Sequence, residues 1–350
     1  MLATVPLWTV PLWEVDRRMN AAQLVGRKLF EFVEVDTPTI QDGECLIKLE
    51  RVSICGSDIR HGYGPRYPEE DYPLEVGRPC HECAGVVVHS RTGAFREGQR
   101  VIVLPGAGMG GLTEYLASPP GRMIALPDHG DLAEWLMCQP AGTVLYACQR
   151  TGSVLGKSVL IMGQGAIGLS FTMLTAMQGA RQVIAVDLLE YRLQWARDFG
   201  ATHTVNPGTE DLADAVREIT GGVGPDVTVE AAGYPETLDA AFRLVRPFGT
   251  VTVFGVQGDD IVPVDTRHWL NKQATIIPTS GARSGDPTTH ITQMVALKAR
   301  GQVDPGRMVT HRLGFDVKDV NRAYQVYEER LENVIKVVMD VGVSNAAKTS

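Results

Sequence analysis

The apolar positions of this chain follow two rhythms, one before about residue 142 and another after it. Early on, Leu29–Val35 and Cys45–Val52 alternate apolar and polar residues over strand length. Thr37-Pro38 and Asp42-Gly43 break the runs, which is the pattern of half-buried strands joined by turns. Ala84–His89, Arg100–Leu104 and Leu112–Ala117 continue it. Ser53–Gly64, the Pro/Gly-rich Pro65–Pro79 and the Gly-rich Pro105–Gly111 read as loops. A mainly β first domain, a small barrel, is predicted.

The second rhythm begins with a helix over Leu132–Arg150, interrupted by Pro140, and then Val159-Leu160-Ile161-Met162, wholly apolar and too short for anything but a buried strand. Gly163-Gln164-Gly165-Ala166-Ile167-Gly168 follows at once. A helix-length apolar run then reaches Gly179, and a second buried strand, Val183–Val186, ends at Asp187. Helices over Glu190–Phe199, Asp211–Thr220 and Pro235–Val245 alternate with strands over Ala201–Val205, Asp226–Glu230, Thr250–Gly255 and Ala274–Pro278, and a helix around Thr288–Ala299 closes the series. That alternation predicts an α/β fold, a doubly wound parallel sheet. Leu313–Val341 offers strand, helix and strand, and is expected to return to the first domain.

The glycine spacing carries chemistry because of its setting. Gly163 permits a tight turn, Gly165 lets backbone approach a pyrophosphate, and Gly168 lets helix and strand pack closely. The phosphates then meet the unpaired N–H groups of a helix N-terminus at Gly165, Ala166, Ile167 and Gly168. Asp187 is placed to accept hydrogen bonds from a ribose, and its carboxylate repels a 2′-phosphate, so NAD is favoured over NADP.

Composition narrows the classes. At 350 residues, 44% hydrophobic and 21% charged, the chain suits two soluble domains. A net charge of −8 without a long basic run argues against nucleic acid or a membrane surface as partner. No apolar run approaches the roughly 20 residues of a membrane span, and the first 18 residues lack the features of a signal peptide. They hold a small repeat, PLWTV then PLWEV, which fits either a surface arm or an extension upstream of a start at Met19. Six irregularly spaced cysteines fit reduced thiols in a cytoplasmic protein better than a disulfide framework.

Two segments of the first domain stand out: Val52-Ser53-Ile54-Cys55-Gly56-Ser57-Asp58 and Cys80-His81-Glu82-Cys83-Ala84-Gly85-Val86-Val87. With GQRV, QPAGT, the glycine-rich fold, VEAAG at Val229–Gly233 and the closing IKVV, all in order from Met19 to Val341, the chain resembles the zinc-dependent medium-chain dehydrogenases, the alcohol, sorbitol and threonine dehydrogenase family. The resemblance implies a GroES-like catalytic domain over 19–142 and 301–350, a Rossmann domain over 143–300, and an N-terminal arm over 1–18. It implies oxidation of a secondary alcohol, polyol or hydroxy acid, with hydride passing to NAD and zinc holding the alkoxide. By position Cys55 and His81 bind the metal, and Ser57 matches the hydroxyl that takes the alcohol proton. Thr143 matches a residue beside the nicotinamide, and Lys336 a basic residue that reaches the pyrophosphate. Arg192 either stacks near the adenosine or pairs with an acid on its own helix.

The chain departs from the family pattern at several places. Relatives carry Cys or Glu at the position of Gln139, and an amide oxygen is a poorer zinc donor. Either Glu82 swings in as carboxylate ligand, or Cys138 substitutes, or the scaffold works without zinc. Cys80 replaces the usual glycine, and Cys80-x-x-Cys83 admits a metal reading or a core one. Pro105–Gly111 stands where relatives insert a four-cysteine lobe, so no structural zinc is expected. The relay histidine falls at Arg60, with His61 next. Arg60 then recognises an anionic substrate or is a solvated charge. His268, His290 and His311 lack motif context and read as surface or core residues. The expected partner is a small alcohol or carbonyl compound, and relatives' habits imply a homodimer or homotetramer. A non-catalytic NAD-binding protein is the rival from another class; it leaves Cys55, Ser57, His81 and Glu82 together unexplained.

Overall fold

The computed structural model describes residues 17–64, 67–106, 110–255, 261–279 and 285–342. The chain divides into two compact units. One runs up to Gln139 and resumes at Gly306; the other is Pro140–Pro305. Both boundaries lie within five residues of the expected 142/143 and 300/301. Of the expected N-terminal arm, all but its last two residues lies outside the described ones.

The first unit is mainly β. Its strands are β1 (Arg18–Gly26), β2 (Leu29–Asp36), β3 (Cys45–Ser53), β4 (Glu82–Ser90), β5 (Arg100–Val103), β6 (Tyr115–Ser118) and β7 (Met123–Ala125). Strands β1 and β2 form an antiparallel hairpin. Their alternation buries Ala22, Leu24 and Phe30 in a core shared with Ile47, Leu49, Val87, Val101 and Tyr324.

The second unit holds β8 (Ser158–Met162), β9 (Gln182–Val186), β10 (His203–Val205), β11 (Val227–Glu230), β12 (Thr250–Val253) and β13 (Thr275–Pro278), all parallel, in the order β10-β9-β8-β11-β12-β13. All five residues of β8 are buried, as a central strand with both faces covered must be. The order reverses between β8 and β11, the switch point at which open sheets of this type receive ligands.

Returning to the first unit, β14 (Val309–Gly314) and β15 (Lys336–Asp340) complete the sheet β14-β15-β3-β4-β5-β7, with β6 also on β3. The register sets Val338 opposite Ser53 and Ser53 opposite Glu82, so β15, β3 and β4 are neighbours where the metal-type motifs lie.

Several local expectations are corrected. The segment read as loop over Ser53–Gly64 contains a helical turn, Gly56–Asp58, continued by a π-helical stretch, Ile59–Tyr63. The predicted Leu132–Arg150 helix is two helices, Leu132–Leu136 and Cys138–Thr151. Pro140 does not cause the break. It sits in the first turn of the second helix, where its missing N–H costs nothing. The short strand β7 was not read from the sequence at all.

Candidate active site

Strand β3 ends at Ser53 and delivers Cys55 to the N-cap of the helical turn that follows. Asp58, three residues on, fixes the geometry there. Its carboxylate is fully buried; Oδ2 accepts the Cys55 N–H at 2.8 Å, and Oδ1 lies 2.7 Å from Nδ1 of His81. With Nδ1 held by a carboxylate, Nε2 is the ring nitrogen that His81 could give to a metal ion. Lost solvation opposes a charge on this ring, but Asp58 and then Cys55 outweigh it and hold its pKa well above the ordinary imidazole range.

Glu82 opens β4 and is fully buried. Its Oε2 is paired with the ammonium of Lys336 at 2.5 Å, whereas Oε1 has no hydrogen-bond partner. Lys336, at the start of β15, also donates to the Ile54 carbonyl at 2.8 Å. Burial pulls the Lys336 pKa down, and Glu82 more than reverses this, leaving it raised.

Donor atoms of Cys55, His81 and Glu82 all lie within 4.8 Å of one another, the group among the described residues that could hold a metal ion. Thiolate, imidazole and carboxylate suit zinc, whose bonds to them are about 2.0–2.3 Å. The unpartnered Glu82 Oε1 is an acceptor that a cation would satisfy. Gln139 is buried too, and its Oε1 likewise lacks a partner. The residues therefore fit the metal. Ser57 is half-buried, two residues from Cys55 on the helical turn.

Cys80 and Cys83 stay outside this group. Both are fully buried, and the Cys80 thiol points to the Ser53 carbonyl at 3.6 Å. The neighbouring Cys83 thiol, then burial, push the Cys80 pKa well up, as for a protonated core thiol. Arg60 sits in the π-helical stretch. His290 lies against Tyr146 with Nε2 on Gln149, His268 against Asp265, and His311 against Glu332.

In the second unit, Gly163 adopts φ +89° and donates to the Val186 carbonyl, which turns the chain sharply off β8. Gly165 caps the helix Ala166–Met177, whose first N–H groups have no intrahelical partner. At Gly168 a Cβ would stand 1.7 Å from the Gly163 carbonyl oxygen, so a side chain is excluded. Asp187 braces this turn: Oδ2 accepts the Gln164 N–H at 2.7 Å and Oδ1 the Leu189 N–H at 3.0 Å. Arg192 stands 3.8 Å from Asp187 and 5.8 Å from the centroid of the Tyr191 ring. Its acidic partner is thus Asp187, not an acid of its own helix. The Thr143 hydroxyl bonds the Pro140 carbonyl at 2.7 Å.

Two functional contacts escaped the sequence reading. Asp58 was visible within the Cys-Gly-Ser-Asp run, three residues after a capping position, which is where an acid reaches back. Lys336 is the correction. The resemblance gave it a pyrophosphate, but its ammonium is turned inward onto Glu82 and Ile54. The available signal was a lysine inside the apolar run Ile335–Met339, since a charge on a buried strand needs a partner.

The chain matches the family model of the alcohol dehydrogenase GroES-like domain over residues 41–128 and that of zinc-binding dehydrogenases over 166–298. It is 31% identical to an Escherichia coli zinc-type alcohol dehydrogenase-like protein, over 89% of this chain and 95% of that one. It is 29% identical to L-idonate 5-dehydrogenase of Vitis vinifera, over 92% and 94% of the two chains. A solved Escherichia coli oxidoreductase/dehydrogenase of unknown specificity superposes with a TM-score of 0.83 at 27% identity, covering 93% of this chain and all of that one. The GroES-like and Rossmann units, the Cys55–His81–Glu82 group and these likenesses together place the chain in the zinc-dependent medium-chain dehydrogenase family.

Proposed function

We propose that this protein is an oxidoreductase that oxidises an alcohol, most suitably a polyol or another secondary alcohol, with NAD as acceptor and zinc at the Cys55–His81–Glu82 group. The observation that carries the reading is the convergence of those three donors within 4.8 Å, with Glu82 Oε1 left unpartnered. The relatives named for zinc-type and L-idonate dehydrogenation support the substrate class. Zinc held there supplies a Lewis acid that lowers the pKa of an alcohol, and NAD supplies the hydride acceptor.

The chain's own part is to hold and orient. Cys55 Sγ, His81 Nε2 and Glu82 Oε1 are the ligand atoms, with the amide oxygen of Gln139 as a weaker, neutral donor. Asp58, 2.7 Å from Nδ1 of His81, favours the tautomer with its proton there, which leaves the Nε2 lone pair for the metal. Ser57 Oγ accepts the alcohol proton and passes it towards solvent, a role supported by its position on the Cys55 turn and its partial exposure. For the cofactor, Gly165, Ala166, Ile167 and Gly168 receive the pyrophosphate at the helix N-terminus. Thr143 lies beside the nicotinamide. Each oxygen of Asp187 keeps a second lone pair for the ribose hydroxyls, and its negative charge favours NAD, moderated by Arg192.

Elemental analysis of the purified protein tests the reading directly, with Cys55→Ser and His81→Ala alongside and turnover of a polyol panel with NAD and NADP. About one zinc per chain, lost in both variants together with NAD-linked turnover, is expected. Full turnover without zinc, or equal use of NADP, would overturn the corresponding part.

A further inference from the structure

Lys336 is a fully buried cation inside a metal-type site, on residues that the metal itself would use. Its side chain is 1% exposed and that of Glu82 is 0%. The ammonium donates to Glu82 Oε2 and to the Ile54 carbonyl, one residue before Cys55. Oε1 of the same carboxylate has no partner. Removing a carboxylate from water is costly unless its charge is balanced, and Lys336 is the balancing charge that the fold places on Glu82. A dication that approaches Oε1 meets the ammonium across the same carboxylate.

We propose that Lys336 is the internal counter-ion of the metal site: it occupies Oε2, restricts Glu82 to donation through Oε1 alone, and sets the metal affinity by its charge. Lys336 thus acts through Glu82 as a positioning residue, and the inference rests on the reading that Cys55, His81 and Glu82 bind zinc. Two effects of opposite sign follow. Lys336 stabilises the metal-free fold, because Glu82 would otherwise be an unpaired buried charge. It also weakens zinc binding, because like charges share one carboxylate in the loaded protein.

The test is a titration of metal-free full-length protein with Zn2+ against a chromophoric chelator, with thermal melting of the same samples. Lys336→Met is expected to bind zinc on the order of tenfold more tightly, the size of effect typical of outer-sphere partners of metal ligands, and to melt lower without metal. Lys336→Arg keeps the charge and can fork onto both carboxylate oxygens, so it is expected to bind no tighter than the wild type. In a Glu82→Gln background, Lys336→Met is expected to change zinc affinity by a different factor than it does with Glu82 present, because the carboxylate shared by the two cations is gone; that double variant buries no charge and keeps the comparison open if Lys336→Met alone does not fold. A lysine that serves packing alone would shift Met and Arg variants in the same direction, or act equally with and without Glu82, and either result overturns the proposal. Wild type that binds zinc with the Met variant unchanged refutes the counter-ion alone. Wild type that binds no zinc removes the metal site and the counter-ion with it.

Discussion

Asp58 divides one buried carboxylate between the two residues that would grip a metal, the Cys55 backbone and the His81 ring. An amide cannot do both. Asn at this position turns an N–H towards either the Cys55 N–H or the His81 Nδ1–H, which leaves two donors facing each other, at a cost of about 1–3 kcal/mol for the unmet buried group. Asp58→Asn is therefore expected to weaken zinc binding by roughly 10- to 100-fold, read by chelator competition, with a folded protein by circular dichroism. Unchanged affinity would mean that His81 needs no orienting partner. This residue also shows what the chain's letters reveal. Cys55, His81 and Glu82 could be read because thiolate, imidazole and carboxylate lie in short motifs. Asp58 lay in the same motif without a stated task, and the Glu82–Lys336 pair joins residues more than 250 positions apart, which only the β4–β3–β15 pairing brings together.

At the scale of elements, the order of the parallel sheet is fixed at its start by one acid. Asp226 immediately precedes β11. Its Oδ2 accepts the N–H of Ser158, the first residue of β8, at 2.8 Å, and its Oδ1 accepts from Arg246 Nε at 2.7 Å. Its backbone pairs with both Ser158 and Thr250, so β8, β11 and β12 are tied at one level. Burial works to raise its pKa, but the Ser158 N–H and then Arg246 outweigh it and leave the pKa lowered. A carboxyl with a depressed folded pKa adds stability that is fully present above its unfolded value, about 3.9, and is lost as pH falls through the folded one. Asp226→Asn is accordingly expected to lower stability by about 1.5–3 kcal/mol at pH 7, the range for hydrogen bonds to a charged group. The gap should shrink on acidification below pH about 4. Denaturant midpoints at the two pH values decide it, and a gap that does not change with pH would show that the charge is not its source. The sheet strands themselves were legible, since β8 and β9 are apolar runs after one polar residue and much of β2 and β3 alternates. The turn and π-helical stretch after Cys55 were not, because three hydrogen bonds from Asp58 shape a segment whose composition reads as loop.

For the whole molecule, the division into two units matters more than either unit's detail. The first closes around Phe30, Leu49, Val87 and Tyr324, the second around Leu160, Ile184, Ala241 and Val251, and the two clusters share no residue. The proposed zinc ligands belong to the first unit and the glycine turn with Asp187 to the second. A ligand stabilises what it binds by RT ln(1 + [L]/Kd), about 2.7 kcal/mol at a hundredfold excess over Kd. That corresponds to about 100-fold slower exchange for amides that open only when their unit unfolds. Zinc at that excess is expected to slow hydrogen exchange in β3, β4 and β15 by up to this factor and to leave β8, β9 and β11 close to their metal-free rates. NAD should do the reverse, with the strongest effect at Gly163–Gly168 and Asp187–Arg192. Peptide-resolved exchange on the full chain reads both. Equal slowing of both sets of strands by either ligand would mean that the units unfold as one, so that the metal's binding energy is shared with the cofactor sheet; a split response would place the zinc-linked stability in the β unit alone, where Lys336 and Glu82 already hold opposite charges against each other.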